Sequence, residues 1–182
     1  MLLREPILRR WTKREYYQAG DLGWFDDQRV ELIDGEVVTM APQRDEHAHA
    51  VTLANYAIGK AFGGSYVVRV QMPLDFAASQ PEPDLAVIRG KPRDVKRHPK
   101  SAALVIEVSD TTLAFDRGRK ALLYASKGIR DYWIVNLVNR QVEVRRRPAA
   151  TGYRQVVTLK SGESIAPLVA GAATIKVADL LP

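Results

Sequence analysis

Cysteine is absent from the 182-residue chain, so neither a disulfide framework nor a thiolate metal site can form, and one usual sign of a secreted protein is missing. Histidine is scarce, at three residues, and no Ser-His-Asp set for nucleophilic hydrolysis is recognisable. There is no Gly-rich phosphate loop of the P-loop or dinucleotide type. No stretch approaches the ~18 apolar residues of a membrane span. The start, from Met1 to Trp11, carries Arg4 and Glu5 inside what would have to be the apolar part of a signal peptide. A cytoplasmic protein without a membrane partner is therefore expected. Linkers, repeats and low-complexity segments are also lacking. With 46% hydrophobic residues, the chain is expected to form a single domain over 1–182.

What is present in excess is positive charge. The net charge of +6 comes from 27 Lys and Arg against 21 Asp and Glu. The excess is clustered at Arg9, Arg10, Lys13 and Arg14, between Arg89 and Lys100, and at Arg145, Arg146 and Arg147. Such clusters attract polyanions and would give phosphate-backbone binding that weakens with salt. Ordinary solvated surface explains the same clusters equally well.

Periodicity divides the chain into helices and strands. A short helix is predicted over 12–18, with Thr12 as N-cap. Val30 to Met40 reads as a hairpin around the two-residue turn Asp34-Gly35. Pairing Ile33 with Glu36 puts Glu31, Ile33, Glu36, Val38 and Met40 on one face. Apolar spacing predicts helices over 46–62 and 113–126. Strands are expected at 66–71, 84–88 and 103–109. A second hairpin follows, with arms at 132–136 and 141–145, and further strands near 153–159 and 173–177.

The chemistry concentrates in two apolar segments, each carrying one acid. Asp84 opens Asp-Leu-Ala-Val-Ile, and Glu107 lies within Leu-Val-Ile-Glu-Val-Ser. Burying a lone carboxylate in such a run costs several kcal/mol unless a cation or hydrogen-bond partner compensates. If the strands are neighbours in a mixed sheet, Asp84 and Glu107 project together, an arrangement suited to Mg²⁺ or Mn²⁺. Lys120, on the following helix, would position a water or neutralise a phosphate. Each residue also has a plainer reading: Asp84 as a strand start, Glu107 in a structural ion pair, and Lys120 in a helix-surface pair with Asp116. His47 and His49 cannot face the same way, so at most one points towards such a site.

Taken in order, Val30-Glu-Leu-Ile-Asp-Gly-Glu-Val-Val-Thr-Met-Ala-Pro42, His47, Glu82-Pro-Asp-Leu-Ala-Val-Ile88, Leu104-Val-Ile-Glu-Val-Ser109, Asp116, Lys120 and Tyr132-Trp-Ile-Val135 resemble the Uma-type family of bacterial restriction endonucleases. The resemblance spans almost the whole chain. It implies the PD-(D/E)XK nuclease superfamily: an α/β (α+β) restriction-endonuclease-like mixed sheet flanked by helices, here with an N-terminal hairpin and extra C-terminal strands. It further implies Asp84 and Glu107 as metal ligands for Mg²⁺ or Mn²⁺, Lys120 as the catalytic lysine, and Glu31 as a further acid. The superfamily pattern carries its lysine two residues after the second acid, where this chain has Ser109. The expected function is metal-dependent cleavage of double-stranded DNA, with a homodimer fitting the need to cut two strands. The alternatives are a non-catalytic nucleic-acid-binding or interaction protein on the same fold, and a hydrolase of small phosphate compounds.

Overall fold

The computed structural model describes residues 7–169 and 173–182. The chain divides into two compact units, the smaller formed by Met1–Pro42 with Asp75–Pro81 and the larger by Gln43–Leu74 with Glu82–Pro182.

In the smaller unit, helix α1 (Lys13–Asp21) begins at a capping box. Thr12 Oγ1 accepts from the Glu15 N–H at 3.2 Å, and Glu15 Oε2 accepts from the Thr12 N–H at 2.8 Å. Strands β1 (Val30–Ile33) and β2 (Glu36–Thr39) pair in the expected register, Ile33 opposite Glu36 and Glu31 opposite Val38. Asp34 and Gly35 have φ of 49° and 75°, the two left-handed residues a tight hairpin turn requires. Gly35 is also pressed against the Arg10 side chain, which a Cβ would meet at 2.6 Å. Leu32 and Ile33 are buried, and Leu32 accepts from the Gln80 N–H at 2.6 Å.

The larger unit is built on a six-stranded sheet in the order β3 (Tyr66–Val70), β4 (Leu85–Arg89), β5 (Leu104–Ser109), β6 (Asp131–Asn136), β7 (Gln141–Ala149) and β8 (Gly152–Lys160). All its pairings are antiparallel except β5 with β6. A parallel pair needs a crossover, and a helix supplies it. That crossover runs through α3 (Leu113–Phe115), a π turn (Asp116–Lys120) and α4 (Ala121–Ser126), matching the helix predicted over 113–126 apart from its wide central turn. The central strands β5 and β6 are buried along their full length, which explains why they read as unbroken apolar runs.

Helix α2 (Asp45–Phe62) covers one face of this sheet. Its Ala50, Val51, Ala54, Ile58 and Phe62 belong to one apolar cluster with Leu85, Val87, Leu104, Ile106, Trp133 and Val135. The opposite face carries the chemistry. There Glu107 stands opposite Ile134, and Ile134 opposite Glu143. Extending the β3–β4 and β4–β5 registers by one residue sets Gln71 beside Asp84 and Asp84 beside Glu107. A short pair of strands, β9 (Ser164–Ile165) and β10 (Ile175–Lys176), precedes a final 3₁₀ turn over Val177–Leu180. Among the described residues, no helix is long and apolar enough to cross a membrane.

Candidate active site

Asp84 sits at the mouth of β4, one residue before the ladder begins, so its side chain is held by neighbours rather than by a regular strand. Its Oδ1 accepts from Gln71 Nε2 at 3.1 Å and lies 3.1 Å from His47 Nε2, while Oδ2 accepts from the Val108 N–H at 2.8 Å. Gln71 follows β3 in a left-handed conformation, φ 51°, with its own N–H bonded to the Asp84 carbonyl at 3.1 Å. Such a backbone is uncommon outside glycine and tends to occur where a side chain must be aimed. Burial would raise the Asp84 pKa, but hydrogen bonding and charge from His47, the Val108 N–H and the Lys120 charge outweigh it, so the carboxyl titrates below its ordinary value.

Glu107 lies mid-strand on β5. Its Oε1 accepts from Lys120 Nζ at 3.0 Å and from the Tyr124 hydroxyl at 2.7 Å, and Oε2 accepts from the Asp84 N–H at 3.3 Å. Lys120 closes the π turn and Tyr124 follows one α turn later, so both fall on the helix face that meets β5. The cluster is almost sealed: Asp84, Glu107 and Lys120 are 7%, 3% and 1% exposed. As the sequence leads one to expect, Asp84 and Glu107 lie together at adjacent strands. Lys120 binds Glu107 and is not the exposed partner of Asp116 that simple helix-surface pairing would give.

Other residues fall differently. His47, at the first turn of α2, is the histidine that reaches the acids, and His49 is exposed. Glu31 is buried in β1 of the smaller unit, opposite Val38. Glu36 is exposed and pairs with Arg10 at 3.1 Å. Gln71 and Tyr124 were missed. Tyr124 had a usable signal in its four-residue spacing from Lys120, whereas Gln71 is placed by a backbone twist that no local pattern announces.

The donor set fits a hard divalent cation. Two carboxylates stand side by side, their oxygens have lone pairs beyond the hydrogen bonds described, and Mg²⁺ typically takes one or two carboxylates while keeping several waters. Among the described residues no group of three or more His, Cys, Asp or Glu is arranged to hold a metal ion, so the protein ligands on offer are the two carboxylates.

A six-stranded mixed sheet covered by α2 on one face, with a helical crossover joining its one parallel pair, is a nuclease-type fold. The same architecture occurs in the crystal structure described as "a putative nuclease belonging to DUF820" from Anabaena variabilis ATCC 29413. The two superpose with a TM-score of 0.72 at 14% identity, covering 96% of this chain and 97% of that one. The Uma2 family model, described as "Putative restriction endonuclease", matches residues 14–178, and the chain belongs to that family. No curated protein matches it.

Proposed function

We propose that the protein is a Mg²⁺- or Mn²⁺-dependent DNA endonuclease. The observation that carries this reading is the meeting of Asp84 and Glu107 with Lys120, whose Nζ lies 3.0 Å from Glu107 Oε1. Family membership and the nuclease-like fold support the same reaction class. Asp84 and Glu107 would hold the ion, which supplies Lewis-acid stabilisation of the charge that builds on a phosphate under attack.

The remaining chemistry is assigned to the protein's own groups. Gln71 and His47 fix the orientation of Asp84, and Tyr124 fixes that of Glu107, so neither carboxylate has to reorganise when substrate arrives. The Lys120 ammonium orients the attacking water or neutralises the phosphate oxygens. Glu31 as a further acid rests on the family resemblance alone. The net charge of +6 suits a polyanionic substrate and argues against a small phosphate compound, which needs no extended basic surface. A cytoplasmic location and a homodimer that cuts both strands belong to this same reading.

One panel tests it: purified protein with supercoiled DNA, linear duplex, single strands or RNA, each with Mg²⁺, Mn²⁺ or EDTA. Nicking of supercoiled DNA with metal and none with EDTA is expected, and Asp84→Ala, Glu107→Ala and Lys120→Ala should each abolish it. Cleavage that persists in all three variants would falsify the assignment.

A further inference from the structure

Ser109 ends β5 two residues beyond Glu107, on the same face, and is fully buried. Its Oγ donates to Asp116 Oδ2 at 2.7 Å, and Thr112 Oγ1 donates to the same oxygen at 2.6 Å. Asp116 is buried as well and opens the π turn that Lys120 closes. Its backbone carbonyl accepts from the Tyr132 hydroxyl at 3.0 Å. The crossover helix is therefore fastened to β5 at two points, Asp116 on Ser109 and Lys120 on Glu107, with the helix running antiparallel to the strand.

The π turn from Asp116 to Lys120 spans the same stretch of β5 that separates Ser109 from Glu107, two residues or about 6.6 Å of strand. A π turn is rare and persists where surrounding contacts hold it, often at functional sites. Here the holding contacts at its start are the two hydroxyls on Asp116. Removing the Ser109 hydroxyl deprives a buried carboxyl of one of its donors, a loss the site has no solvent to repair.

We infer that Ser109 and Asp116 are positioning residues that set the place of the Lys120 ammonium against Glu107. Ser109, at the position where the superfamily pattern carries lysine, thus serves the lysine that this chain supplies from the helix. The consequence for cleavage rests on the nuclease reading, but the placement of Lys120 is measurable without it.

The experiment combines lysine acetylation, followed residue by residue by mass spectrometry, with cleavage kinetics on the full chain. Exposed Lys60 serves as the internal reference. In folded Ser109→Ala and Asp116→Ala variants, acetylation of Lys120 should rise about tenfold, the equivalent of one lost buried hydrogen bond. Asp116→Asn keeps an acceptor oxygen and should stay within about twofold of wild type. In cleavage, kcat should fall about tenfold in the two alanine variants while KM for DNA is unchanged, because DNA binding does not pass through the Ser109–Asp116 contact. Ser109→Cys, nearly isosteric with a weak donor, applies the same test at a smaller perturbation should the alanine variants not fold, and a severalfold rise is expected. Wild-type acetylation of Lys120 in Ser109→Ala, or in Ser109→Cys, would overturn the inference, as would an Asp116→Asn rate equal to that of Asp116→Ala. If the wild-type protein cuts no nucleic acid, the nuclease reading fails while the acetylation arm still decides the positioning role.

Discussion

Glu107 and Glu143 are the same residue type, equally buried at 3% exposure, in one row across one sheet face with Ile134 between them. The crossover helix reaches both. Glu143 stands alone and is met by two guanidinium groups: Arg117 binds it through Nε, at 3.0 and 3.1 Å to the two oxygens, and through Nη2 at 2.5 Å, and Arg145 through Nη2 at 2.9 Å, with Asn136 adding a further bond at 3.1 Å. Glu107 stands beside a second carboxylate, Asp84, and the pair shares the Lys120 ammonium and the ionisable His47. The first arrangement is an ion cluster in which cations outnumber the acid. The second sets two adjacent carboxylates against one ammonium and one imidazole, and on the proposed reading it would hold a further cation. Burial of a glutamate thus does not by itself distinguish the two; the groups around it do.

The largest expected effect sets function against structure. Asp84→Asn and Glu107→Gln should each lower metal-dependent nicking by about 10³-fold or more while the fold is retained, as removal of a charge-stabilising group does. A folded Glu143→Gln variant equally dead in the nicking assay would erase the distinction between the two glutamates. Stability should not separate the two in the same way. Glu143→Gln breaks a buried, multiply bonded ion cluster and should cost about 2–4 kcal/mol in urea denaturation, less than a fully enclosed pair because Arg117 is partly solvated. Glu107→Gln relieves one of two adjacent like charges but strips the buried Lys120 ammonium of its carboxylate, so it should cost at least as much.

Metal linkage separates the clusters next. At a hundred times its Kd, Mn²⁺ should stabilise the wild-type protein by about 2.7 kcal/mol. That gain should vanish in Glu107→Gln and persist in Glu143→Gln when thermal melting is followed with Mn²⁺ and with EDTA.

The smallest effects are in pH. Burial would raise the Glu143 pKa, but hydrogen bonds from Arg117, Arg145 and Asn136 outweigh it and hold the carboxyl below its ordinary 4.5. Its stabilisation is therefore present above that value and is lost as pH falls through the lower folded value. Asp116 has the opposite sign. Burial raises it above the ordinary 3.8, and Lys120 with the hydroxyls of Thr112 and Ser109 only partly offsets this. Its contribution is complete below 3.8 and is lost as pH rises through the folded value. Melting curves from about pH 3 to about pH 7 should show Glu143→Gln losing less than wild type on acidification, and Asp116→Asn gaining on wild type as pH rises. Parallel curves for all three proteins would remove the electrostatic basis of the comparison.

The pattern of residues made the strands and helices legible because each obeys a local rule. The Asp34-Gly35 turn fixed the hairpin register, apolar spacing marked α2, and unbroken Val and Ile runs marked the strands that carry the acids. Asp84 and Glu107 were legible because a carboxylate in such a run is costly. The Arg117–Glu143 cluster was not, since it joins residues 26 positions apart whose meeting depends on sheet register and helix placement together. The π turn escaped for a related reason: its residues have ordinary helical spacing, and only the folded backbone of Asp116–Lys120 shows that the turn is widened.

One consequence follows from the near-complete enclosure of Lys120. With Lys120 and both acids already engaged by neighbouring groups, a ligand reaches them only by exchange for those internal bonds. On the proposed reading, association with a polyanion and chemistry at the two carboxylates would then be separate events, with that exchange standing between them.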